Sequence, residues 1–107
     1  MAQKIEFNYE NTHYVLEFSR NVVRQMEATG FVISEIDTKP MTRIPQLFEG
    51  AFVMHHRKER KEKITEIFSH FTRKDDLIMK LTEMYYEAMT TLIDDEEVEN
   101  DTKKIEW

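Results

Sequence analysis

Polar and apolar residues alternate along the first part of the chain. Ile5, Phe7 and Tyr9 are interleaved with Lys4, Glu6 and Asn8, the period-two pattern of a strand with one buried face. Glu10-Asn11 is a natural turn, and alternation resumes beyond it. Tyr14, Leu16 and Phe18 share one face, while His13, Val15 and Glu17 share the other. The pattern predicts a β-hairpin. Two strands alone are marginal in water, so the aromatic face must pack on the helices that follow.

Beyond Phe18 the period changes. Ser19 has the hydroxyl that can accept an orphan N–H at a helix start, and Val22, Val23 and Met26 give a short apolar stripe. Gly30 suits a helix end, where the chain often turns left-handed. Phe31, Val32, Ile33 and Ile36 read as a short extended segment closed by Lys39-Pro40, since the residue before proline avoids the helical region. A second helix is expected from Thr42 or Arg43, with Pro45 in its first turn. Its stripe is the clearest in the chain: Ile44, Leu47, Phe48, Ala51, Phe52 and His55. Ile64, Ile67, Phe68 and Phe71 predict a third helix. Thr72 and Asp75 approximate a capping box for a fourth, whose buried face is Leu77, Leu81, Met84, Tyr85, Ala88 and Leu92.

The expected fold class is therefore α+β, an N-terminal β-hairpin packed on a small bundle of about four helices. Residues 1–93 form the single domain. Residues 94–107 are highly charged, and their composition predicts an acidic, flexible C-terminal tail.

With 107 residues, the chain has room for one domain with a modest core, which would gain from self-association. It contains no cysteine, which excludes disulfides, thiolate metal sites and a Cys nucleophile. The charged, alternating N-terminus has no run suited to a signal peptide, and no apolar stretch approaches the roughly 18 residues of a membrane span. The formal net charge is −6, against the basic excess expected of a general nucleic-acid binder.

Candidate chemistry is sparse. His55 and His56 are adjacent, so on a helix they point about 100° apart and cannot serve one ion from the same face. His55 is expected to border the core and His56 to be solvated. Glu59, four residues after His55, suggests a surface ion pair. Two glycines in the whole chain leave no phosphate-cradling loop, and no residues combine into a catalytic constellation. No enzyme activity, cofactor or metal is expected. The run HHRKERKEK holds five Arg or Lys residues, but Glu59 and Glu62 interrupt it and no aromatic interleaves to stack on bases. It reads as a solvated junction, or as a surface able to dock an acidic partner, including the tail of a neighbouring copy. Gly50 sits inside a strong helical pattern, where glycine costs about 1 kcal/mol relative to alanine. Either another element approaches it closely, or the helix tolerates the defect. Met41, Met54, Met79, Met84 and Met89 are expected mostly to fill gaps in the core. As candidate partner-binding residues the sequence offers Gly50, Met54, Arg57, Lys58, Arg60 and Lys61.

Most of the chain also resembles a family. The features are Glu27 through Phe31, Lys39-Pro40-Met41-Thr42, Leu47-Phe48-Glu49-Gly50-Ala51-Phe52 with His55, Leu81-Thr82-Glu83-Met84-Tyr85 and the late Trp107. Together they resemble the small tail assembly chaperones of tailed phages and prophages of Gram-positive bacteria. The resemblance implies a protein that coats the tape measure protein and recruits major tail protein subunits. It also implies a homo-oligomer working in the cytoplasm of the bacterial host and absent from the mature virion. The alternative is a phage-encoded regulator or inhibitor that binds a host protein or nucleic acid through residues 57–63. The resembling patterns are hydrophobic and carry no catalytic residues.

Overall fold

A computed structural model describes residues 3–93, with side chains through residue 91. The expected tail, 94–107, and the side chain of Leu92 lie outside the described residues. Strand β1 (Ile5–Tyr9) and strand β2 (Thr12–Leu16) pair antiparallel, with Phe7 opposite Tyr14 and Ile5 opposite Leu16. Glu10 and Asn11 have φ of 50° and 67°, so both central residues of the two-residue turn are left-handed. That geometry matches the twist of the flanking strands.

Helix α1 (Arg20–Ala28) starts at Ser19, whose Oγ accepts from the Val22 N–H at 3.1 Å. It ends where Gly30 takes a φ of 102°. The segment expected to be extended instead contains a 3₁₀ turn, Ile33–Glu35. Ile33 and Ile36 are three apart, so one helical turn lets both pack on the core, whereas a strand would face them oppositely. Arg43 holds the turn down by donating to Glu35 from Nε at 2.8 Å. This pairing, with Lys39 nearby, keeps the Glu35 carboxyl below the usual range.

Helix α2 (Pro40–Val53) begins earlier than expected. Pro40 takes the first position, and Pro45 lies inside the helix. Pro45 has no N–H for the Met41 carbonyl, which is tolerable because Met41 is 89% exposed and water can take that acceptor. Helix α3 (Lys61–Ser69) is short, so Phe71 lies beyond its end, although Phe68 and Phe71 still pack on the core. Helix α4 (Lys74–Ile93) starts after Thr72, and no hydrogen bond forms the expected capping box among the described residues. Asp75 and Asp76 instead place negative charge at the positive end of the helix dipole.

The hairpin's aromatic face lies on the helices. Phe7 stacks on Tyr14 and meets Phe71 edge-on, and Tyr14 meets Phe52. One core joins β2, α1, α2, α3 and α4, with Leu16, Leu47, Phe48, Phe52, Ile67, Leu81 and Tyr85 nearly fully buried. The methionines depart from expectation. Met84 is buried, but Met41, Met79 and Met54 are exposed, so three of the five named do not fill the core. No helix among the described residues is long and apolar enough to cross a membrane.

Candidate functional site

Helix α2 presents two adjacent stripes. Leu47, Phe48, Ala51 and Phe52 face the core. Gln46, Glu49, Gly50 and Val53, at i, i+3, i+4 and i+7, face a groove of about 440 Å³. Its other wall comes from Met26, Thr29 and Phe31 at the end of α1 and just beyond it. Its far rim comes from His56, Arg57 and Glu59 in the loop after α2 and from Lys61 and Ile64 in α3. The floor is apolar and the rim carries both signs of charge.

Gly50 is buried at the crossing of α1 and α2. A Cβ built on it would lie 2.5 Å from the Met26 sulfur and 2.7 Å from its methyl. The close approach is thus made by a side chain of this chain. The other five candidate residues are all exposed. Arg57 and Lys61 line the groove with Gly50, and Lys58 and Arg60 lie between them in the loop before α3. Met54 lines a separate hollow of about 240 Å³ with Phe18, Arg20, Met84, Ala88 and Thr91.

The loop from Met54 to Arg60 is fixed by β2. In a hairpin with this register, the Val15 and Glu17 N–H groups point away from β1. The Glu17 N–H donates to the Ala51 carbonyl at 3.1 Å, and the Val15 N–H donates to His56 Nε2 at 2.9 Å. The expected roles of the two histidines are reversed. His56 turns in against Tyr14, ring centroids 4.9 Å apart, because the strand edge needs an acceptor. His55 is exposed and pairs with Glu17 at 2.8 Å. The expected His55–Glu59 pair is absent among the described residues. Glu59 instead accepts from the Tyr14 hydroxyl at 2.8 Å. Burial raises the Tyr14 pKa first, and the bond to Glu59 adds to it.

An imidazole that accepts a hydrogen bond must be neutral at that nitrogen. Burial, aided by the charge of His55, pushes the His56 pKa below its ordinary value. A lowered folded value means that acidification favours the unfolded chain. The stability from His56 is complete above the unfolded value of about 6.5 and is lost as pH falls through the lower folded value. His56→Ala should cost about 1–2 kcal/mol by orphaning the half-buried Val15 N–H. Gln can accept that bond without titrating. Thermal unfolding from neutral pH to about pH 5 should therefore show a steeper loss for wild type than for His56→Gln. Equal slopes would refute this account.

A second tie holds the hairpin tip to α3. The Tyr9 hydroxyl donates to Glu66, which pushes the tyrosine pKa up to about 12, and Lys63 pairs with Glu10 at 2.7 Å. Among the described residues, no group of three or more His, Asp or Glu could hold a metal ion.

The rim cations at 57–61 were legible in the sequence as a charge run. The groove's α1 wall was not, because nothing local places Met26 and Phe31 beside Gly50. The Gln46-Glu49-Gly50-Val53 spacing was the available signal for a second stripe on α2.

The described residues form an α+β fold, a two-stranded hairpin followed by four α-helices, with a groove bordered by α1, α2 and α3. The chain belongs to the family described as "Domain of unknown function (DUF5055)", whose model matches residues 1–107. No curated protein and no solved structure matches it.

Proposed function

We propose that this protein is a tail assembly chaperone of tailed phages or prophages of Gram-positive bacteria. In this reading it binds a helical segment of the tape measure protein in the groove between α1, α2 and α3. One observation supports it above the others. Two separate stretches that carry the family resemblance, Glu27–Phe31 and Leu47–Phe52, meet at this groove and contribute Thr29, Phe31, Glu49, Gly50 and Phe52 to its lining. An apolar floor with a charged rim suits the apolar face of an amphipathic helix. The exposed Met41, Met54 and Met79 offer adaptable surface for major tail protein subunits or further copies of the chaperone. The site of action is the host cytoplasm, and the protein leaves before the virion matures.

The test is co-expression with the tape measure and major tail proteins of the same genome, followed by affinity capture. Wild type should retain the tape measure protein. Arg57→Ala combined with Lys61→Ala changes only exposed rim residues, so it should fold normally and capture at least about tenfold less. Capture of neither partner by wild type would sink the proposal. Sub-micromolar binding of DNA or RNA through residues 57–63 would replace it with the regulator reading.

A further inference from the structure

Lysine and arginine side chains are divided unevenly between paired and unpaired. Residues 1–93 contain thirteen of them. Nine have a polar partner, as in Lys63 with Glu10 or Arg43 with Glu35. The other four, Arg57, Lys58, Arg60 and Lys61, make no ion pair or side-chain hydrogen bond among the described residues. All four are exposed. Of the two carboxylates within the run, Glu59 is turned to Tyr14, and the exposed Glu62 forms no ion pair among the described residues. Four cations with no ion pair among the described residues therefore border the groove.

The complementary charge lies in the same chain. Residues 94–107 contain seven carboxylates and two lysines, so they account for −5 of the net −6. Six of these carboxylates fall between Asp94 and Asp101, immediately after α4. Negative charge at a helix C-terminus opposes the helix dipole, and the last turn of α4 has no basic residue to offset it. The two regions also start close together. Thr91 lines the same hollow as Met54, and Met54 is three residues before Arg57. Eight extended residues span up to about 28 Å, while the three-residue step from Met54 to Arg57 spans at most about 11 Å.

We infer that the acidic segment 94–101 folds back on Arg57, Lys58, Arg60 and Lys61 of its own chain and delivers Ile105 and Trp107 to the apolar groove. Tethering supplies a high local concentration, so modest contacts are enough to fill the site. The segment then competes with any partner for the groove. That regulatory consequence rests on the partner-binding reading above, whereas the docking itself does not.

Trp107 is the only tryptophan, so its fluorescence in the isolated full-length chain reports the docking directly. At low salt its emission should be blue-shifted relative to the denatured chain, and acrylamide quenching should be reduced severalfold. Molar salt screens the ion pairs and should reverse both signals. So should charge reversal of the loop (Arg57→Glu, Lys58→Glu, Arg60→Glu, Lys61→Glu). If the loop variant fails to fold by circular dichroism, Asp94→Asn, Asp95→Asn, Glu96→Gln and Glu97→Gln decide the matter, since they leave every described core residue unchanged. Emission matching the denatured chain at low salt would overturn the proposal. So would shielding that survives these charge changes. Shielding that grows with protein concentration would assign the segment to a neighbouring copy and overturn the in-chain arrangement. Finding no tape measure partner would sink the chaperone reading and leave the fluorescence result standing.

Discussion

Phe48→Ala should unfold the protein or leave it barely stable. Phe48 is 1% exposed, and its ring meets Phe52, Phe68 and Phe71 edge-on at centroid distances of 5.0, 5.1 and 5.9 Å. It thus joins α2 to α3 and, through Phe71, to the hairpin. Truncating a buried Phe costs about 3–5 kcal/mol because the cavity adds to the lost transfer energy. Whole domains are stable by only about 5–15 kcal/mol, so this change removes a large share. Urea denaturation followed by circular dichroism measures it. Phe48→Leu should be much milder, since a branched aliphatic refills most of the space. A Phe48→Ala midpoint within error of wild type would mean that α2 does not organise the core.

Gly50→Leu should also destabilise, for the opposite reason. The space over Gly50 is already filled by the end of the Met26 side chain. A Leu there overpacks the α1–α2 crossing, which costs about 1–3 kcal/mol, or roughly 4–8 °C in Tm for each kcal/mol. Gly50→Ala should lie close to wild type. The gain in helix propensity, up to about 1 kcal/mol, is offset by moving the flexible Met26 terminus. Met26→Ala vacates that space, so Gly50→Leu should be better tolerated in its background. The double-mutant cycle should therefore show favourable coupling. Additive effects, or a Gly50→Leu protein that keeps its Tm, would show that the crossing has slack.

What was legible in the sequence was mostly local. Alternation and Glu10-Asn11 located the hairpin, Ser19 marked the start of α1, and the stripes of α2 and α4 named half of the buried core. The misreadings share a cause. The difference between His55 and His56 depends on a strand edge 41 residues away that needs an acceptor, and helical spacing is silent on that demand. Ile33 and Ile36 suited a strand by composition, but their common face toward the core selected a helical turn. Pro45 suited the first turn of a helix starting at Thr42 or Arg43, because a first-turn proline loses no needed donor. Solvent at Met41 removed the cost of placing it inside. The candidate site was half visible: its charges lie in one run, while its apolar wall is assembled from segments about twenty residues apart.

The hairpin has two outer edges, and they are treated differently. On β2 the outward N–H groups of Val15 and Glu17 are taken up by His56 and Ala51, while that of His13 has no partner among the described residues. On β1 the outward backbone groups of Lys4, Glu6 and Asn8 find no partner among the described residues. The ladder is thus more open along β1 than along β2, so an added strand would find more unmet backbone groups on the β1 side. Two copies that met there edge to edge would be related by a closed two-fold, and the His56–Ala51 contacts would hinder a further strand on β2.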